Sequence, residues 1–438
     1  MVSGGTYGTE EVVHGAGYGR GILIMLFLPV LWCLPTAFMI GELSSALPAE
    51  GGYYAWVRRG LGNFWGFQEA WLSLVASIFD MAIYPTLFVF YLKQMSPWFG
   101  TPSHGVLAGL FVVITCAALN VAGIRVVGLT SLWLFFLLSA PFAIIVVMAP
   151  FKAGIFAAAG GAGTAEATSL GLIGGVLVAM WNYMGWDNAS TIAQEVERPQ
   201  RTYPRAMIAA VVLVSLSYVV PFLAVYFTGI PSSSFEADGS WATIAGLIGG
   251  KIAGFEWLRF FIVLGGMMSA FGMFNALVMS YSRLPLAMAR DGMLPKLFAR
   301  TTARTQTPWV AIVVLATCWA FCLGLGFKKL ITLDIMVYGA SLMLEFVTLV
   351  ALRIREPQLK RDFKVPGGLA GAISCGIFPL ALMTLAMVES EHETVLGING
   401  LLFGGLMIAA GFILYLTTKP LRRSVIAPAA TPNAALGD

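Results

Sequence analysis

Apolar runs of about 18 to 30 residues recur along this chain, at 19–46, 64–94, 104–122, 128–150, 169–195, 204–228, 255–289, 308–325, 331–354, 369–388 and 396–418. As helices, each reaches across the hydrocarbon layer of a bilayer, which is roughly 30 Å thick. Lipid offers no partner to a backbone N–H or C=O, so a run that crosses it must satisfy its own backbone. The fold class that follows is an all-α polytopic membrane protein. Composition agrees: 58% of the 438 residues are hydrophobic and 11% charged, against about 25% charged in soluble domains, and the mean hydropathy is +0.83.

Ahead of these spans stands half of another. MVSGGTYGTEEVV opens with a helix-breaking cluster at Ser3, Gly4 and Gly5, and a short helix carrying Glu10 and Glu11 is expected over 6–16. Only Met1 and Val2 precede the break, so the first helix reads as truncated, and residues upstream of Met1 are expected in the natural protein. A second interruption falls in WNYMGWDNASTIAQEVERP, where Asn182, Gly185, Trp186 and Asp187 end a long apolar run. The two breaks sit five helices apart, in corresponding positions of two halves, residues 1–150 and 169–325, with a last pair of helices over 369–418. Interrupted helices in matching places point to a 5+5 inverted-repeat transporter whose site lies at the breaks. On this reading residues 1–418 form one transmembrane transporter domain, and 419–438 are a short tail.

The breaks suggest what they hold. N–H groups freed at Ser3, Gly4 and Gly5, beside Tyr7, carry the positive end of the outer half-helix and suit a carboxylate. Carbonyls unwound from Trp181 through Asn182 and Tyr183 to Gly185 suit an ammonium. Asp187 adds a full negative charge, and Asp80, in SIFDMAIYP near Tyr84, adds another. Two carboxylates withdrawn from water favour a cationic ligand, because an opposite charge offsets their desolvation. Trp181, Tyr183, Trp186 and Tyr84 are expected to wall the pocket and to add cation–π attraction. A polyamine or a cationic amino acid is the first expectation. Asp80, Asp187 and Glu345 are the candidate proton carriers, because acids set inside apolar helices form proton relays. Glu42 is expected to cap a helix or pair with an inner-loop arginine, and Glu195 and Glu197 to meet Arg198 at the membrane surface.

Lysine and arginine divide unevenly between alternate loops. One set holds Arg58, Arg59, Arg125, Arg198, Arg290, Arg353, Arg361 and Arg423 with their neighbours; the other holds Arg20, Lys93, Lys152, Lys251, Arg259, Lys328 and Lys329. The richer set is cytoplasmic by the positive-inside bias, which puts the C-terminus inside. The formal net charge of +4 therefore speaks to orientation in the lipid bilayer and implies no nucleic-acid partner. Cys33, Cys116, Cys318, Cys322 and Cys375 all lie in apolar runs, and nothing near them in sequence completes a metal site. No phosphate-binding loop or HExxH helix is legible, so no cofactor, no metal and no enzyme chemistry is expected.

The segments SGGTYG at 3–8, ALPAEGGYYAWVRRGLG at 46–62, SIFDMAIYP at 77–85, LNVAGIRVVG at 119–128, the 181–199 stretch, AMARDGMLP at 287–295, LEFVTLVALRIREP at 344–357 and KVPGG at 364–368 stand in a characteristic order and spacing. In them the chain resembles the amino acid–polyamine–organocation superfamily, most of all the polyamine and L-type amino acid carriers of plants and protists and their bacterial relatives. The resemblance implies a leucine-transporter-like fold, with two inverted five-helix repeats followed by two extra C-terminal helices. It also implies a permease of the plasma membrane that moves a small amine or amino acid by alternating access, with protons as the coupling ion. Transport of polyamines or cationic amino acids comes first, a neutral L-type amino acid carrier or exchanger second, and a transport-inactive nutrient sensor third. The chain departs from some relatives in having no lysine between Arg125 and Lys152. It also has the apolar Leu277 to Met279 where plant polyamine carriers tend to have a glutamate.

Overall fold

A computed structural model describes residues 5–49, 51–123, 129–152, 169–186, 188, 198–235, 240–390, 394–395 and 397–417 of the chain. Over them the apolar runs become helices: α1 (Glu10–Leu28), α2 (Leu34–Ala46), α3 (Gly52–Leu61), α4 (Asn63–Met95), α5 (Pro102–Val121), α6 (Leu129–Met148) and α7 (Ser169–Asn182). There follow α8 (Pro199–Tyr226), α9 (Trp241–Gly249), α10 (Trp257–Arg290), α11 (Trp309–Phe321), α12 (Phe327–Arg355), α13 (Gly368–Ser390) and α14 (Gly400–Thr417). A two-stranded hairpin, Thr394–Val395 against Ile398–Asn399, joins the last two helices. Among the described residues nine helical stretches are long and apolar enough to cross a bilayer, and Gly171–Asn182 and Trp309–Phe321 are shorter apolar helices. Every apolar run of the sequence meets one of these, so the chain is an all-α integral membrane protein.

α1 and α2 are one apolar stretch with two irregularities. Gly17 leaves the helical region at φ 74°, ψ 169°, one residue beyond the expected end of the short first helix at 16. Pro29 and Pro35 have no N–H to give to a helix, and the chain takes a wide π turn over Pro29–Cys33 between them. α4 lies at the centre, packed most extensively against α10 and α12. The two interrupted helices, α1 and α7, pack on each other through glycine. A Cβ at Gly15 would stand 2.6 Å from the Gly171 carbonyl oxygen, and one at Gly175 would stand 3.3 Å from that of Val12. Small residues are what allow two backbones this close inside a membrane. α14 turns Leu402, Phe412 and Ile413 outward, the apolar surface a lipid-facing helix requires.

At the arginine-rich end, Glu42 of α2 is wholly buried. Its carboxylate accepts from Arg353 Nε (2.9 Å) and from the Val365 N–H (2.7 Å), and it meets Arg361 Nε at 3.2 Å. The expected arginine partner is therefore a pair of arginines, which ties α2 to the end of α12 and to the loop before α13.

α9 ends at Gly249 and buries Trp241, Ala242, Ile244, Ala245 and Ile248. The Trp241 indole N–H donates to the Thr6 carbonyl at 3.0 Å, and its ring packs on Phe142, Phe222 and Phe235. A tryptophan N–H finds a partner at the open backbone of the first break as readily as in a headgroup layer, and here the break holds it.

Candidate functional site

The turn over Gly5 to Gly8 leads into α1, with Gly5 at φ 65° and Gly8 at φ 103°. α7 ends at Asn182, and Gly185 at φ 85° carries the chain out of helical geometry beyond it. Side chains of other residue types rarely adopt such backbone angles, so these glycines make the two breaks. Asn182 ties the breaks together: its Nδ2 donates to the Gly8 carbonyl (3.1 Å) and to the Val178 carbonyl (2.9 Å). Those two acceptors fix the orientation of the amide. Its Oδ1, wholly buried, has no partner among the described residues and lies 3.8 Å from where a Cβ of Gly8 would stand.

Asp80 of α4 sits against this junction. Its Oδ1 accepts from Tyr84 Oη (3.2 Å) and Trp181 Nε1 (3.2 Å), and its Oδ2 accepts from Tyr281 Oη of α10 (3.0 Å). Asp80, Tyr84, Gly185, Asn188, Tyr281 and, from α12, Asp334 line one cavity of about 30 Å³. That is room for about two waters, so the site is closed around its acids. Among the described residues no lysine or arginine lines it.

From this cavity a polar seam continues toward the arginine-rich end. On α4, Ser73 lies seven residues before Asp80 and Glu69 four before that; on α12, Ser341 lies seven after Asp334 and Glu345 four after that. Steps of four and seven keep residues on one helix face. The helices run antiparallel, so the two series face each other: Ser73 Oγ and Ser341 Oγ are 3.5 Å apart, and Ser73 Oγ donates to Glu69 Oε1 at 3.1 Å. Glu69 and Glu345 are both fully buried.

On the other side lies a vestibule of about 420 Å³, with Glu10, Glu11, Phe90, Lys93 and Phe327 among its walls, and the Trp181 indole touches one wall residue of each space. That ring packs on Tyr84 (centroids 6.0 Å apart) and on Phe327 (5.5 Å). Lys328 bridges to Glu11 at 2.9 Å across the vestibule rim. At the opposite end Arg58 pairs with Asp291, beside a pocket of about 440 Å³ that also holds Arg59 and Arg290.

Of the residues singled out in the sequence, Asp80, Tyr84, Trp181, Asn182 and Gly185 come together here, with Gly5 at the adjoining break. Tyr7, Tyr183 and Trp186 do not wall the cavity. Tyr7 donates to the Leu138 carbonyl (3.2 Å) and wedges between Tyr91 and Phe142. Tyr183 donates to the Met25 carbonyl (2.9 Å), and the Trp186 indole donates to the Tyr183 carbonyl (2.6 Å). The non-helical backbone at the two breaks turns these rings into the core. The Asn182 carbonyl, expected to await an ammonium, receives Tyr218 Oη at 3.0 Å. Glu345 lies on the α12 seam and not in the cavity. Ser3, Gly4, Asp187, Glu195 and Glu197 lie outside the described residues. Sequence reasoning missed Asp334, Tyr281 and Asn188. Asp334 carried a usable signal, an acid within the apolar run of α12.

The sequence family described as amino acid permease matches residues 1–425. The chain is 34% identical to a probable polyamine transporter of Arabidopsis thaliana over 94% of its own length and 84% of that protein's. It is likewise 34% identical to a polyamine transporter of Oryza sativa subsp. japonica, over 93% of its own length and 75% of that protein's. Among solved structures it is similar to a mutant manganese transporter of Eremococcus coleocola, with a TM-score of 0.53 and 13% identity, covering 97% of this chain and 95% of that one. That likeness is one of fold.

Proposed function

Because the chain belongs to the amino acid permease family, we propose that it is a secondary transporter of polyamines, driven by protons and working by alternating access across the cell membrane. The observation that carries the reading is the pair of carboxylates, Asp80 and Asp334, in one closed cavity whose described lining holds no lysine or arginine. Two buried carboxylates are expensive unless cations meet them, and a di- or polyammonium chain supplies more than one cation. Tyr84 and Trp181 offer ring faces to the methylenes and ammonium groups, and the free Asn182 Oδ1 offers a further acceptor. The plant relatives named as polyamine transporters support the same substrate class.

On this reading α1 and α7 head the two repeats, and the arginine-rich end faces the cytoplasm. The closed cavity is the occluded state. Opening to the vestibule moves the Trp181 ring and the Glu11–Lys328 bridge, while opening inward parts the Arg58–Asp291 pair. The proton route is the α4–α12 seam, running from Asp80 and Asp334 past Ser73 and Ser341 to Glu69 and Glu345. Its hydroxyls can each accept one hydrogen bond and donate another, which a proton relay requires.

The test is uptake of labelled putrescine and spermidine into proteoliposomes, beside leucine and arginine, with and without an inward proton gradient. The expected result is accumulation of the polyamines only under the gradient. Carriage of leucine with no polyamine uptake would overturn the substrate, and accumulation indifferent to the gradient would overturn the coupling.

A further inference from the structure

Glu10 is a buried acid, 5% exposed, that the transport cycle above does not use. Its Oε2 accepts the Gly8 N–H at 2.7 Å, and its Oε1 accepts the Tyr91 hydroxyl of α4. The carboxylate also faces the backbone N–H of Trp241 at the start of α9. Three elements thus aim donors at it, and among the described ion pairs none includes it; the nearby Lys328 goes to Glu11 instead. The place it occupies is the entry to α1, where N–H groups and the helix dipole present positive charge to the interior of the transporter. In a carrier built on interrupted helices, that is where the carboxylate of an amino acid substrate is received.

Gly8 joins this acid to the amine cavity. Its N–H points to Glu10, its carbonyl receives Asn182, and a Cβ added to it would stand 3.4 Å from the Trp181 ring. Trp181 in turn donates to Asp80. A substrate held by Asp80 would bring any carboxylate it carried against this same turn, where a carboxylate is already in place.

We propose that Glu10 is a specificity-determining residue: it sets the chain's own carboxylate on the turn between the first break and α1, against the Gly8 N–H, so that amines without a carboxylate are accepted and the corresponding amino acids are refused. The inference rests on the reading of the protein as an amine transporter and adds the reason that cationic amino acids are excluded. Like charges brought together out of water repel strongly, and such built-in repulsion is how a site discriminates between otherwise similar ligands.

Putrescine and ornithine differ by one α-carboxylate and provide the test. Wild-type protein, Glu10→Gln and Glu10→Ala are compared for uptake of each in proteoliposomes, under the same gradient. The expected result is that wild type carries putrescine and refuses ornithine, and that both variants raise the ornithine-to-putrescine ratio about tenfold or more. A merely structural role for Glu10 would lower both uptakes together and leave the ratio unchanged, and that result would overturn the proposal. Equal carriage of both by wild type would overturn it while leaving the amine transporter standing, and carriage of neither would overturn both. Thermal stabilisation of purified wild type by putrescine against ornithine decides the matter even where a variant does not fold: stabilisation by putrescine alone supports the proposal, and equal stabilisation by both overturns it.

Discussion

Glu42 and Asp80 are both carboxylates carried into the protein by apolar helices, and they are equipped in opposite ways. Glu42 receives the guanidinium groups of Arg353 and Arg361 together with the Val365 N–H. Asp80 receives two tyrosine hydroxyls and an indole N–H. A carboxylate met by opposite charges is compensated already, and it braces the fold. One that lines a cavity, with hydroxyl and indole donors among its partners, stands where an entering cation can reach it. Acids in a membrane protein are thus sorted into braces and binding groups by the charge of their partners, and burial alone does not separate them.

The largest effect should come from the brace. Glu42→Ala leaves two largely buried arginines without their counter-ion, and breaking such a pair costs about 3 to 5 kcal/mol. A marked fall in Tm is expected, and putrescine should not restore it. A variant that kept its Tm but lost transport would break the contrast between the two acids. Next, Asp80→Asn and Asp334→Asn should fold with little change in Tm and lose putrescine uptake by about a hundredfold, since a desolvated charge partner contributes roughly 2 to 5 kcal/mol. Wild-type uptake in either would remove that acid from the site.

A smaller effect separates binding from coupling. Ser73→Ala combined with Ser341→Ala removes the hydroxyls midway along the α4–α12 seam, each lost hydrogen bond being worth about 1 kcal/mol. Gradient-driven accumulation should fall several-fold while putrescine exchange without a gradient continues. Equal loss of both would make the seam structural.

The smallest effect belongs to an acid at the surface. Hydrogen bonds from Arg59, and then its charge, hold the Glu356 carboxyl below the usual carboxylate range. A depressed carboxyl stabilises the fold above its unfolded pKa of about 4.3, and that contribution is lost as pH falls through the lower, folded value. The Tm difference between wild type and Arg59→Ala should be slight at neutral pH, because the pair is exposed. It should vanish in acid, and a difference that grew there would reverse the assignment.

Much of this was legible in the chain. Hydrocarbon requires long apolar helices, so runs such as 64–94 and 331–354 could be read directly and reappear as α4 and α12. Gly5 and Gly185 adopt backbone angles that few other residues take, so these two interruptions could be read as well. The arginine pairing of Glu42 followed from its place at the arginine-rich end. What misled was side-chain direction. Tyr183 and Trp186 stand beside the break in sequence, but their side chains donate to the Met25 and Tyr183 carbonyls in the core.

The pairing of Asp80 with Asp334, and of each with a serine and a glutamate along the seam, could not be read from either segment. A hydrophobic pattern tells a helix that it must be buried, and close packing decides which faces of which helices meet. Sequence by itself determined that this chain spans a membrane, where its helices break and that acids lie inside them. Tertiary structure alone decided which acids share a cavity, which are compensated by arginine, and that Glu10 turns back onto the Gly8 N–H. The physical reason is that a charge acts through space on whatever lies within a few ångströms, and that neighbourhood is set by packing between distant segments of the chain.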